Sequence, residues 1–293
     1  MSVDNPVVFP RIAIVGLGLI GGSIAFAARR AWPSTHVVAV DRERVLREAL
    51  SRRAIDVAAD DLAEVGTADL IVLAAPVRQN IVLLKRVAAY ASKTAVVTDV
   101  GGTKRTIIGA AAALPQSVTF VGGHPLGGGA RGGFEFATAA LFNRRPWVFT
   151  PPADAERTPG VRDAVARLSA FVSGLGALPT TMTAEEHDRL MSLISHLPQL
   201  AATALMEVVG RAATGGGLKM AGQGLVDTTR LASSPADVWR DICVTNADEI
   251  RAALDLLIER LSEMRADLER AEVIDAVFTD AANWRAELMK GRD

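Results

Sequence analysis

A single cysteine, Cys243, stands in 293 residues, so no disulfide can close within the chain, and a reducing, cytoplasmic compartment is expected. Histidine is scarce too: the four His and one Cys show no metal-ligand spacing, so no metal site is expected. The net charge is −1 with Lys and Arg scattered, which excludes the clustered basic face of a nucleic-acid binder. The opening MSVDNPVVFPR has neither a basic start nor a long apolar core, so a signal peptide is not expected. No uncharged apolar run of about 18 residues is apparent, and no membrane span is expected. Repeats and low-complexity tracts are missing as well. What is abundant is apolar: 49% of residues are hydrophobic, enough for a large core, and the length suits about two domains.

The most informative stretch is IAIVGLGLIGGSIA, Ile12 to Ala25. Ile12 to Val15 reads as a short buried strand, and the small apolar run to Ala28 reads as a helix. Between them Gly16, Gly18 and Gly21 are spaced G-x-G-x-x-G. Gly16 permits the tight turn, Gly18 lets a pyrophosphate approach the backbone, and Gly21 lets the helix pack closely on the sheet. The first helical N–H groups, at Leu19 and Ile20, would face the phosphates. A glycine-rich turn without a ligand is the plain alternative, but the strand-to-helix context favours a dinucleotide. Asp41 ends the next strand, His36 to Val40, 20 residues past Gly21 (41 − 21), where a carboxylate accepts hydrogen bonds from the adenosine ribose. That favours NAD. Arg42 beside it could pair with a 2′-phosphate, so NADP stays possible.

Strands and helices then alternate. A helix spans Arg44 to Arg53. A buried strand runs from Asp69 to Ala75 and Pro76, and a helix over Val77 to Ala91. A strand at Ala95 to Val100 precedes a helix from about Thr103. SVTFVGG forms a strand ending near Gly122. PWVFTP and ALPTTM are further strands, at Pro146 to Pro151 and Ala177 to Met182, with a helix at Gly160 to Leu175 between them. This predicts an α/β fold: an N-terminal Rossmann-type parallel sheet domain over 1–182. Ala75, Pro76, Asp99, Thr103 and His124 all sit at or just past strand carboxyl ends, where such sheets bind ligands. From Thr183, a plausible N-cap before Glu185 and Glu186, the pattern is helical. The segment Ala184 to Gly210 is apolar on more than one face and predicts a buried helix, against a second subunit if not within the chain. Pro198 should kink or break it. A Gly215–Gly217 loop, a helical region over Ala236 to Ala271 and a final helix at Asn283 to Met289 complete a helical substrate and dimerisation domain, 183–293.

Five blocks then carry a resemblance: VGLGLIGGS (15–23), TDVGGTK (98–104), GGHPLGG (122–128), HDRLMSLISHLPQ (187–199) and DTTRLASSPADVW (227–239). The chain resembles the prephenate/arogenate dehydrogenases of tyrosine biosynthesis. The resemblance implies an NAD-dependent oxidative decarboxylation of a cyclohexadienyl acid by a homodimer joined through its helical domain. It implies that His124 accepts the proton of the substrate's ring hydroxyl, that Arg230 binds a substrate carboxylate, and that Ser195, His196 and Gln199 line the pocket. His187 matches the family and is either catalytic or structural. The chain departs from the pattern at Gly102, where the family has a serine and where Thr103 is the neighbouring hydroxyl. It departs again at Gln199 in place of a histidine and at Val226 in place of a lysine. Prephenate is the expected substrate, with arogenate or a 4-amino analogue as variants. Two rivals stay open: a β-hydroxyacid dehydrogenase, for which Lys219 in its Gly-rich loop is a poor catalytic lysine, and an NAD-binding sensor without turnover.

Overall fold

Strand β1, Arg11–Val15, is buried on both faces: Ile12 and Ile14 join one apolar cluster, and Ala13 and Val15 join another. A strand covered on both sides belongs in the middle of a sheet with helices above and below. The computed structural model describes residues 6–128, 131–152, 160–213 and 216–290. It contains an eight-stranded sheet with β1 third in the order β3-β2-β1-β4-β5-β6-β7-β8. The strands are β2 (His36–Val40), β3 (Val57–Ala59), β4 (Leu70–Leu73), β5 (Val96–Asp99), β6 (Thr119–Pro125), β7 (Pro146–Thr150) and β8 (Leu178–Thr181). Helices α1 (Leu19–Ala31), α2 (Glu43–Ser51), α3 (Val77–Val87), α4 (Arg105–Ala111) and α5 (Val161–Gly174) lie between them. The chain moves outward from β1 to β3 and then returns to β4 on the other side of β1. That reversal opens a crevice at the carboxyl ends of β1 and β4, the usual ligand site of such sheets.

Three expectations are corrected. The sheet is not wholly parallel, because β7 runs antiparallel to β6. The connection between them holds only a single 3-10 turn, Phe134–Phe136, among its described residues, and a parallel return would need a full crossover element. Residues Gly129 and Ala130 of this connection lie outside the described residues. Strand β6 also continues past Gly122 to Pro125, and His124 pairs with Val148 of β7. The short β3 was not anticipated, since three residues carry no readable period.

After β8, Thr183 caps α6 (Ala184–Met191) in a reciprocal capping box with Glu186. A five-residue π turn, Ser192–His196, joins α6 to α7 (Leu197–Ala212) without a break. Pro198 does not end the helix, although the α-helical pattern is interrupted by the π turn directly before it. It sits in the first turn of α7, where a missing N–H costs least, and the π turn absorbs the misfit. The continuous helix Ala184–Ala212 is long and apolar enough, by length and composition, to cross a membrane, contrary to expectation. It is also mostly exposed rather than buried: within α7 only Gln199 and Ala202 are buried. A 3-10 turn at Gly217–Met220 replaces part of the expected loop, whose Gly215 lies outside the described residues. Next come α8 (Gln223–Thr228), a 3-10 turn at Arg230–Ser233, and α9 (Ala236–Thr245). Residues 1–247 form one compact unit and 248–293 a second. The second holds α10 (Ala247–Ala266) and α11 (Glu272–Met289), the latter beginning well before Asn283. Within it the Asp267 carboxylate accepts Val273 N–H at 2.6 Å and pairs with Arg270, fixing the turn between the two helices.

Gly174 at the end of α5 lets Trp32 lie flat on Phe171, with ring centroids 5.4 Å apart. A Cβ at 174 would sit 2.4 Å from the Trp32 ring. Gly174→Ala is expected to lower the unfolding free energy by about 1–3 kcal/mol through overpacking. Urea unfolding measures this, and NAD affinity should be unchanged because the residue is remote from the β1–β4 crevice.

Candidate active site

The crevice is built first by glycines. Gly16 has φ +102°, and a Cβ there would meet the Ala74 carbonyl at 2.8 Å, so only glycine lets β1 turn beside the end of β4. A Cβ on Gly21 would lie 2.0 Å from the Gly16 oxygen, the close helix-to-strand approach expected. Nothing lies within 4 Å of the Gly18 Cβ position, which faces open space. Helix α1 has no side-chain cap and no acidic residue in its first turn, leaving the N–H groups of Leu19 and Ile20 available to an anion. Asp41 accepts Leu17 N–H at 2.5 Å and Arg42 N–H at 2.6 Å, which aims its carboxylate into the same crevice. The Arg42 side chain is almost fully exposed beside it. Asn80 holds the opposite lip: it accepts Ala75 N–H at 3.0 Å and donates to Leu73 O at 3.1 Å, setting Ala75 and Pro76 at the rim. An uncapped helix start, an open glycine and a carboxylate at the end of β2 together fit a dinucleotide.

Two strands along, β6 outruns β5. Its parallel pairing with β5 ends at Val121, and the extension that carries His124 is held by β7. Gly123 is needed there, because a Cβ would lie 2.6 Å from Asp99 O. His124 Nδ1 lies 2.8 Å from His187 Nε2, and His187 Nδ1 lies 2.7 Å from Asp188 Oδ1. Asp188 can only accept, so His187 donates from Nδ1 and accepts at Nε2. His124 therefore donates from Nδ1, and its Nε2 carries the free lone pair. That nitrogen faces Gly102, whose Cβ position is 3.9 Å away. His187 and Asp188 are fully buried. Burial alone would raise Asp188. Hydrogen bonds from His187 and from the Arg105 and Lys104 N–H groups outweigh it and hold the carboxyl below its ordinary value. Burial, reinforced by the neighbouring His187 and Lys104, pushes His124 well below 6.5. Burial likewise lowers His187, against its bond to Asp188, and brings His196 down to about 4.

The π turn sets His196. At 3.6 residues per turn, a residue eight positions after Asp188 would lie ~80° round the helix, and absorbing one residue brings it to ~20°. Asn246 Nδ2 reaches both, donating to Asp188 O at 2.8 Å and lying 3.3 Å from His196 Nδ1. Trp239 meets the His196 ring edge-on. Ser195 is half-buried, and its hydroxyl makes no hydrogen bond among the described residues. Arg230 is exposed, with no partner for its guanidinium among the described residues.

Three expected contacts are redirected. Asp99 does not reach the crevice: its carboxylate is buried, accepts Gly101 and Gly123 N–H, and pairs with Lys104 Nζ at 2.5 Å. Thr103 is buried, and its hydroxyl bonds Thr245 Oγ1 at 2.8 Å, pinning α9 to the sheet instead of facing a substrate. Gln199 spends both amide donors inside the protein, on Leu231 O at 2.7 Å and Thr203 Oγ1 at 3.2 Å. Sequence reasoning missed Asp188 and Asn246. An Asp directly after His187, just past the capped first turn of α6, was the available signal for the first.

Comparison with known proteins finds relatives for both parts of the chain. Residues 24–177 match the family described as "Prephenate dehydrogenase, nucleotide-binding domain", and residues 183–278 match "Prephenate dehydrogenase, dimerization domain". The prephenate dehydrogenase of Bacillus subtilis is 33% identical over 282 residues, covering 94% of this chain and 75% of that protein. Among solved structures, the prephenate dehydrogenase from Aquifex aeolicus in complex with hydroxyphenyl propionate and NAD+ is 26% identical, with TM-score 0.87 over 95% of this chain and 98% of that one. Synechocystis arogenate dehydrogenase is 27% identical, with TM-score 0.77 over 94% and 99%.

The lowered histidines make folding pH-dependent. Each is kept neutral in the native state, so below about 6.5 the unfolded chain binds protons that the native chain refuses. Stability present above that pH is therefore lost on acidification towards the native values. The urea midpoint is expected to fall steadily from pH 6.5 to 4, and His196→Gln should flatten the slope by about one proton.

Proposed function

The chain belongs to the prephenate dehydrogenase family, and from that premise we propose how its residues carry the family reaction, the NAD-dependent oxidative decarboxylation of prephenate to 4-hydroxyphenylpyruvate. The observation that carries the reading is the lone pair of His124 Nε2, held towards the Gly102 gap by the His187–Asp188 chain. Gly16, Gly18, Leu19, Ile20 and Asp41 would hold NAD, which when bound would supply the hydride acceptor. His124 accepts a hydrogen bond from the ring hydroxyl and takes its proton as hydride leaves the same carbon. The ring carboxylate departs as CO2, its bonding electrons complete the aromatic ring, and His124 returns the proton to the phenol oxygen. Aromatisation drives the step, so positioning is the main demand on the protein. The bond from His124 Nδ1–H to His187, itself anchored on Asp188, holds the ring so that Nε2 is the nitrogen that takes the proton. Burial, with His187 and Lys104 beside it, keeps His124 neutral before the substrate arrives, its lone pair free to take a proton. Arg230 offers its fork to a substrate carboxylate. His196 and Ser195 line the pocket. Arogenate would bring an ammonium, but Asp99 and Asp188 are both committed to internal donors, which favours the keto acid.

His124→Asn is expected to lower kcat with prephenate by about 10²–10⁴ while NAD binding persists. The acid limb of kcat/KM in the wild type should lie below 6.5, because activity is lost only when His124 protonates and its value is depressed. Steady-state NADH formation with prephenate and with arogenate, across pH, measures all three; full activity in His124→Asn overturns the mechanism.

The helical residues from 183 onward form a homodimer interface in this reading. The family description for 183–278, and Ile194 and Val208 of the helix Ala184–Ala212, 58% and 60% exposed, support it. An apolar face of this kind needs a partner. Light scattering is expected to give twice the chain mass, and Val208→Arg to shift it to one chain with unchanged far-UV circular dichroism.

A further inference from the structure

The turn that carries Arg230 has little apolar anchorage: no residue of α8 or of Arg230–Ser233 is buried. The side-chain hydrogen bonds that tie it to α7 among the described residues come from one buried amide. Gln199, 5% exposed, donates from Nε2 to Leu231 O at 2.7 Å, and its Oε1 accepts Ser234 Oγ–H at 3.1 Å. The remaining donor goes to Thr203 Oγ1, which itself donates to Gln199 O at 2.9 Å. The amide cannot flip, because its oxygen would then face the Leu231 carbonyl. Gln199 thus grips the 3-10 turn in its middle and just past its end, while the Arg230 side chain at its start has no partner among the described residues. A long cationic side chain on an ungripped turn would lose orientational freedom only on binding, and that loss weakens affinity.

We propose that Gln199 is a positioning residue: it clamps the Arg230–Ser233 turn to α7 so that Arg230 meets the substrate carboxylate in one orientation, and it does not touch substrate itself. The proposal rests on the role assigned above to Arg230. Gln199→Leu removes the clamp at similar size, and Ser234→Ala removes one of its contacts. With NAD saturating, Gln199→Leu is expected to raise the KM for prephenate about tenfold and Ser234→Ala about two- to threefold, with kcat and the NAD KM within about twofold of wild type. In an Arg230→Ala background, Gln199→Leu should change kcat/KM by less than about twofold, since the clamp then presents nothing. An additive loss in that background overturns the proposal, as does an unchanged KM or a fall in kcat alone. If Gln199→Leu fails to fold, the same cycle with Ser234→Ala decides by the same criteria. An unchanged KM in Arg230→Ala overturns both the clamp and the role of Arg230, whereas wild type inert towards prephenate overturns the functional reading itself.

Discussion

The site depends on the carboxylate of Asp188. It is buried, and it accepts the N–H groups of Lys104 and Arg105 as well as His187 Nδ1–H. The first two open α4, so a residue of α6 supplies the anion that this helix start wants and its own N-cap does not provide. One charge thereby does two things. It fastens α6 to the loop after β5, and it dictates which nitrogen of His187, and so of His124, holds a proton. A neutral amide at 188 could still bond the backbone, but it would no longer fix the tautomer with a charge. The geometry of the sheet and the proton inventory of the site are set by the same hydrogen bonds.

Beneath them lies a second buried charge. Asp99 gathers Gly101 N–H, Gly123 N–H and Lys104 Nζ, and Lys104 also donates to Gly123 O at 2.8 Å. Such a pair is weak evidence for stability, because desolvation offsets much of its attraction. Its consequence here is positional: it joins the end of β5 to the residue before His124. Its lysine also stands close enough to disfavour a second positive charge on His124. The His124 ring is thus kept neutral by burial, with His187 and Lys104 beside it, while the hydrogen bonds through His187 to Asp188 fix which of its nitrogens stays free.

The cofactor half was legible because its determinants are local. Gly16, Gly18, Gly21 and Asp41 act through backbone conformation and a fixed offset, both visible in a linear string. His124 was legible from its strand end and its glycines. The roles of Asp99, Thr103 and Gln199 were not, since each is decided by a partner far along the chain: Lys104 and Gly123, Thr245, and Leu231 with Ser234. Polar residues next to a ligand crevice read alike whether they face ligand or interior. The direction of β7 was hidden for a similar reason. Strand propensity says nothing of orientation, and only the lack of a crossover element among the described residues between 126 and 145 betrays it.

The helix Ala184–Ala212 shows how one element can serve two environments. Hydropathy alone makes it look like a span or a core helix. Yet its inward side carries His187, Asp188, His196 and Gln199, all buried and hydrogen-bonded to the sheet and its loops, to Asn246 at the end of α9, or to the 230s turn. A lipid-facing helix could not be threaded through that polar network without stripping several charged and polar groups of their partners, at several kcal/mol each. The apolar outer side stays largely exposed in the single chain. The π turn at Ser192–His196 reconciles the two demands, rotating the polar residues onto a single face without ending the helix. Any partner packed on Leu205 and Val208 presses on the same rod that positions the base, so assembly and chemistry share a mechanical element.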